Sequence, residues 1–354
     1  MRRSIRPFLL VAAAIAVSAC GRGPSGAADR AIDDDTATAV PSNSPYGARA
    51  GDIVRVTPVE IEVIDLPDGW NGMRIAALSD FHLGMWPDNV NVARAAMERA
   101  VAERPDLIVL LGDYVGRGGD FAALDRVLEP AKGRPVYAVL GNEDMAESTE
   151  GEPDSMAILT RQALERNGVR VLMNQRVAFG RNGDTAYIAG IDPYTARRPD
   201  WRRAETYGGI PGGGRTPVML AHMPVSAATL PTDKYPSMIS GHTFCGGLEV
   251  PGTPRLSWVN TELFPQETGV GTNRIYRIRG STLFITCGVG FSFVPVRFGA
   301  PPEVAMITLR PVGGAVKRDT ASAAATVNVD SLIQQFTPEA DTVRRDTVPG
   351  EEEA

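Results

Sequence analysis

Five short stretches of the chain place donor atoms where the backbone must change direction. They are Asp80-Phe81-His82, Gly112-Asp113, Gly141-Asn142, His222 in Ala221-His222-Met223-Pro224, and His242 in Gly241-His242-Thr243. Each lies at the end of an apolar run and offers a carboxylate, an amide or an imidazole. Hard oxygens mixed with neutral imidazole suit Mn, Fe, Zn or a similar divalent ion, and no clustered thiolates argue for a structural zinc. Glycines before Asp113, Asn142 and His242 let the backbone turn sharply and approach a ligand closely. Taken singly, Asp, Asn and Gly are also the caps and turn residues that end strands in any α/β protein. The histidines weigh against that reading, because the chain has only three and all three belong to the set.

Such a set needs elements that bring strand ends together. Arg74 to Leu78, Leu107 to Leu111 and Val136 to Leu140 are compact apolar runs, read as buried strands, and Asp80, Gly112-Asp113 and Gly141-Asn142 follow them. Asp88 can cap a helix carrying Val90, Ala93, Met97 and Val101 on one face, which must end before Pro105. Further helices are expected over Phe121 to Leu128 and Pro153 to Asn167, the latter stopped by Gly168. Ile53 to Ile64 reads as an early strand. Others are expected near 169–172, 186–190, 218–221, 238–240, 274–279, 283–286 and 304–309. Strands alternating with amphipathic helices mean a βαβ architecture, in which polar chemistry gathers beyond the carboxyl ends of the strands.

The 354 residues carry 36 Lys plus Arg against 42 Asp plus Glu, a formal charge of -6. An acidic balance argues against a nucleic-acid partner, which needs a basic footprint. The two ends read as something other than fold. Residues 1–19 have a basic start at Arg2, Arg3 and Arg6 and an apolar stretch from Pro7 to Ala19, as a signal peptide does. That stretch is shorter than the roughly 20 residues a membrane span needs. Ser18-Ala19-Cys20-Gly21 resembles a bacterial lipobox, which implies lipidation of Cys20 and a place in the cell envelope, facing away from the cytoplasm; the alternative is an ordinary signal peptide with a chance cysteine. Residues 20–51 read as a flexible tether and 312–354 as a disordered acidic tail, leaving 52–311 as the folded domain. Residues 313–354 hold eight acids against four bases, so the tail carries -4 of the charge.

The ordered series resembles the calcineurin-like metallophosphoesterase superfamily, whose blocks run D-x-H, G-D, G-N-H-[ED], H and G-H-x-H. Its spacing is similar as well: 33 residues from Asp80 to Asp113, 29 to Asn142, 80 to His222 and 20 to His242. The stretch from Ile275-Tyr276-Arg277 through Val294 to Glu303 is similar to the ending of a membrane-associated bacterial branch. The resemblance covers about residues 53 to 310 and implies a four-layer α/β/β/α sandwich with a two-metal site. Asp80 and His82 would hold the first ion, Asp113 would bridge, and Asn142, His222 and His242 would hold the second. The reaction implied is phosphoester hydrolysis by a metal-activated water, on a phosphodiester that the membrane-associated branch suggests is lipid-derived.

Two departures from those blocks matter. The G-N-H block reads Gly141-Asn142-Glu143-Asp144, and the G-H-x-H block reads Gly241-His242-Thr243-Phe244. By the resemblance, the first removes a histidine that contacts phosphate and the second a ligand of the first metal. Glu143 is a poor acid beside cations, which hold a carboxyl ionised, but it could serve as a base or as a replacement ligand. Cys245 is either another replacement ligand or a small buried residue, and Cys287 stands where the family leads one to expect Arg; the two could also pair. The expectation is an enzyme with a weakened first metal and two ions, or one if the first site is lost. The alternatives are an envelope lipoprotein that keeps the fold and binds metal or phosphate without turnover, and a structural lipoprotein interacting through its acidic tail.

Overall fold

A computed structural model describes residues 50–116, 119–145, 155–193, 216–228, 235–246, 275–278, 281–292, 297, 300–313 and 325–326. The expected signal segment, Cys20, nearly all of the expected tether and most of the expected tail lie outside the described residues. No helix among the described residues is long and apolar enough to cross a membrane.

Two sheets organise the described chain. The first has the order β1 (Arg55–Val63), β12 (Glu303–Pro311), β2 (Arg74–Leu78), β3 (Leu107–Leu110), β4 (Val136–Ala138) and β5 (Arg170–Val171). Strands β2 to β5 run parallel, and β12 pairs antiparallel with β2 and parallel with β1. The second has the order β13 (Ala325–Thr326), β10 (Ile275–Ile278), β11 (Ser281–Ile285), β9 (Ser237–Ser240), β8 (Val218–Ala221), β7 (Asp184–Ile191) and β6 (Gln175–Arg181).

The apolar runs read as buried strands bury both of their faces, and alternate side chains go to different cores. Ala76, Leu78, Ile108 and Leu110 lie in the core covered by α1 (Ala50–Ile53), α2 (Asp88–Ala102), α3 (Phe121–Leu128) and α4 (Ser155–Arg166). Ile75, Ala77, Leu107 and Val109 face the second sheet, where Ile188, Leu220, Ile239 and Phe284 meet them. Val92, Ala93, Ala96, Met97 and Ala100 form the buried stripe of α2, at the i, i+3, i+4 spacing of an amphipathic helix. On the outer face of the second sheet, Ile191, Met219, Met238 and Ile285 pack with Ala227 of the 3₁₀ turn Pro224–Ala228. The structure thus has the expected mixed α/β fold on two sheets, and the outermost layer of the expected sandwich lies outside the described residues.

Three details differ from the sequence reading. Asp88 is the first residue of α2 and gives it no side-chain cap, because Pro87 occupies the capping position. Strand β6 was not expected, since charges and Gly180 mask its Val177 and Phe179; it pairs with β7 across Asn182-Gly183, both with positive φ, as a tight hairpin turn requires. Two residues of the expected tail, Ala325–Thr326, pair with Tyr276 and Arg277 at the edge of the second sheet.

Candidate metal centre

The six predicted ligands come together from the carboxyl ends of five strands. Asp80 and His82 follow β2, Asp113 follows β3, Asn142 follows β4, His222 follows β8 and His242 follows β9. Two groups form, Asp113 with His222 and His242, and Asp80 with His82 and Asp113, and Asp113 is common to both. Asp80, His82, Asp113 and His222 are buried.

The backbone is bent to make this possible. Asp80, His82, Asp113 and His242 have φ of 59°, 46°, 57° and 72°, a left-handed region that non-glycine residues rarely enter. Such conformations cost about 1–3 kcal/mol each and persist where the surroundings over-determine them. Here the determinants are main-chain bonds: Asp80 N to Gly112 O at 2.9 Å, His82 N to Asp113 O at 3.0 Å and Gly290 N to Asp80 O at 2.7 Å. Gly112 is needed for close approach as well, since a Cβ there would lie 2.5 Å from the Gly141 nitrogen and 2.8 Å from His222 Nδ1.

His222 is the hinge of the first group. Its Nδ1 lies 2.7 Å from the Leu111 carbonyl, which can only accept, so Nδ1 carries the proton and Nε2 faces the site. Around Nε2 stand Asn142 Oδ1 at 3.1 Å, His242 Nδ1 at 3.0 Å and Asp113 Oδ2 at 3.2 Å. Four lone-pair-bearing atoms converging on one point suit a cation. Burial works to lower the His222 pKa, but the Asp113 carboxylate outweighs it and pushes it up to about 10. Burial likewise works to raise the Asp113 carboxyl, and His222, His82 and His242 together hold it below the usual carboxylate range.

The second group is looser. His82 Nε2 lies 3.8 Å from both Asp80 Oδ1 and Asp113 Oδ2, beyond hydrogen-bond reach. Asp80 Oδ1 and both His82 ring nitrogens are buried with no hydrogen-bond partner. Native interiors seldom leave such atoms orphaned, and an ion would satisfy them, so these residues also fit a metal. Phe244, the last residue of the Gly241-His242-Thr243-Phe244 block, stacks on His82, with ring centroids 5.3 Å apart and planes at 25°. The Arg297 guanidinium lies 4.9 Å from the Phe244 centroid; burial pulls its pKa down to about 10 against the attraction of Asp80 and Glu303.

Glu143 joins neither group. Its backbone N–H donates to Asp113 Oδ1 at 2.9 Å, and its carboxylate lies 3.5 Å from Asn142 Nδ2. Cys245 is bonded to Cys287 and so offers no thiolate.

Asp144 supports the site without joining either ligand group. Its Oδ2 accepts from Asp113 N at 2.7 Å and Gly141 N at 2.8 Å, and its Oδ1 from Tyr114 N at 2.9 Å, fixing the turns after β3 and β4. Burial, and then the charge of Asp113, push it up to about 7. The signal was available, since Asp144 fills the acidic position of the G-N-H-[ED] block. Asn89 had no local signal: it bonds the carbonyls of His82 at 2.8 Å and Phe291 at 2.9 Å, the latter 202 residues away.

Residues 73–245 match the family model described as calcineurin-like phosphoesterase. A Danio rerio transmembrane protein with metallophosphoesterase domain is 28% identical over 274 residues, 72% of this chain and 57% of that protein, so the match spans little more than half of its length. Phosphodiesterase YaeI of Escherichia coli is 28% identical over 244 residues, 67% of this chain and 82% of YaeI. An uncharacterized metallophosphoesterase of Aquifex aeolicus is 28% identical over 274 residues, 73% of this chain and 93% of that protein.

Proposed function

We propose, from the membership of the calcineurin-like phosphoesterase superfamily that the match over residues 73–245 gives the chain, that it is a phosphodiesterase with one full and one weakened metal position. The full position is Asp113, Asn142, His222 and His242, and the weakened one is Asp80, His82 and Asp113. The observation that carries this reading is the convergence of Asp113, Asn142 and His242 on His222 Nε2 at 3.0–3.2 Å. The similarity to phosphodiesterase YaeI supports a diester substrate.

Divalent ions such as Mn, Fe or Zn bound there would neutralise phosphoryl oxygens and activate a water for in-line attack. The chain's own residues do the positioning. The Leu111 carbonyl fixes the His222 tautomer, Asp113 spans both positions, and Asp144 holds the backbone under Asp113. All three histidines of the chain are in the ligand set, so none is left to protonate a leaving group. Glu143, whose carboxylate lies beside Asn142 and outside both ligand groups, serves as a base and not as an acid. Esters with good leaving groups should therefore react far faster than alkyl esters.

We also place the enzyme in the bacterial cell envelope, facing away from the cytoplasm, held to a membrane by lipid on Cys20 and a flexible 20–51 tether, with a lipid-derived diester as substrate. The support is the signal and lipobox pattern of residues 1–20.

Bis-p-nitrophenyl phosphate with added Mn²⁺ tests the activity, comparing wild type with Asp113→Ala. Turnover well above the variant is expected. Equal rates on aryl and alkyl diesters would overturn the leaving-group argument. The missing imidazole acid also favours a second reading, a metal- or phosphate-binding protein without turnover, and no rate above Asp113→Ala would select it.

A further inference from the structure

The loop that brings His242 to the site leaves β9 at Ser240 and runs through three non-glycine residues with positive φ: His242 at 72°, Phe244 at 53° and Cys245 at 49°. A segment bent in this way keeps its shape only where other contacts impose it. On its near side, Gly241 N donates to the His222 carbonyl and His242 N to Asp80 Oδ2, each at 3.1 Å. On its far side, Cys245 is joined to Cys287, 42 residues further on, with Cα atoms 4.6 Å apart and both side chains buried.

Cys287 is a firm anchor. Its N–H donates to Glu303 Oε2 at 3.0 Å, and its carbonyl accepts from Arg297 Nη1 at 2.7 Å. The residue before it ties the end of β11 to the end of β9, Thr286 N donating to Ser240 O at 2.9 Å. Phe244, between His242 and the disulfide, has no ligand atom, so an ion held by Asp80, His82 and Asp113 would not secure this loop. We infer that the Cys245–Cys287 disulfide does so instead: it is a positioning device that holds His242 in the full metal position. The inference rests on the metal-site reading above and adds what keeps that site assembled.

The test uses the full chain, freed of metal and titrated with Co²⁺, whose visible spectrum reports the ligands. Wild type is compared with Cys245→Ser/Cys287→Ser and Cys245→Ala/Cys287→Ala. Both variants should lose about ten- to a hundredfold in Co²⁺ affinity, the range for removing outer support of a metal ligand, and their bound spectra should change alike. In a His242→Ala background, breaking the disulfide should cost nothing more, because the ligand it positions is already gone. Unchanged affinity and spectrum in both double variants overturn the inference and leave the metal site standing. A further loss in the His242→Ala background also overturns it. So does global unfolding of both variants at 25 °C, which would make the bond a staple of the whole domain. Wild type that takes up no Co²⁺ with the disulfide intact removes the metal-site reading itself.

Discussion

On one side of the site, Asp113, Asn142 and His242 bring their donor atoms within 3.0–3.2 Å of His222 Nε2, and the Leu111 carbonyl fixes that ring. On the other side, His82 and Asp80 stand 3.8 Å apart, their facing atoms have no hydrogen-bond partners, and a phenyl ring stacks on the imidazole. Both sides use the same device, a ligand in the left-handed region just past a strand end. They differ in how many lone pairs reach the centre. A buried polar atom left without a partner costs about 1–3 kcal/mol, so the Asp80–His82 side is preorganised for an ion yet short of ligands to hold it. Phe244 supplies packing against His82 where affinity would need a nitrogen.

The largest expected effect sets the two sides against each other directly. His222→Ala should lower kcat/KM by about 10³-fold or more, as removing one member of a group acting as a unit does, and should abolish metal retention. His82→Ala should cost only about tenfold, the low end for loss of a weakly contributing metal partner. Steady-state kinetics on an aryl diester, with metal counted in the same samples, measures both. Equal losses would mean that the two positions bind with similar strength.

The supports beneath the two sides differ in the same sense. Asp144 accepts four backbone N–H groups under Asp113, while Asn89 bridges His82 to Phe291 with three neutral bonds, Phe291 N donating to its Oδ1 at 2.8 Å. Asp144→Ala should destabilise the domain by about 3 kcal/mol or more, because it strands several buried donors, and Asn89→Ala by about 2 kcal/mol. Urea denaturation of both variants reads the difference. A larger loss for Asn89→Ala would place the tighter scaffold under the weaker metal position.

Much of this arrangement was legible in the sequence because its signals are local. Arg74 to Leu78 and Leu107 to Leu111 are short apolar runs whose burial on both faces follows from composition, and the polar residue that ends each run is the one that reaches the site. Helix α3 begins at Phe121 and ends at Leu128, as its pattern indicates. Strand β6 escaped because an edge strand needs little apolar content, although Asn182-Gly183 announced its turn. Asn89 and Arg297 escaped for a different reason. Their hydrogen-bond partners are backbone groups, and a backbone group has no residue type to recognise. The pairing of Cys245 with Cys287 stood open in the sequence because separation in space cannot be read from 42 residues of intervening chain.

The smallest expected effect tests whether one side chain accounts for the difference between the two sides. Phe244 lies against His82 with its ring nearly parallel to the imidazole, and the Arg297 guanidinium sits at 4.9 Å from its centroid. Phe244→His would put a nitrogen where the ring now packs, giving the Asp80–His82 side a fourth ligand atom. Metal content should rise towards two ions per chain, and kcat/KM on an aryl diester should rise about tenfold, equivalent to about 1.4 kcal/mol of added transition-state stabilisation. The nearby Arg297 works against this gain, because a fixed cation disfavours a second one. Phe244→His combined with Arg297→Met should then bind the second ion more tightly than Phe244→His alone. If neither variant gains metal, the weakness of that side lies in the 3.8 Å spacing of Asp80, His82 and Asp113 and not in the missing ligand.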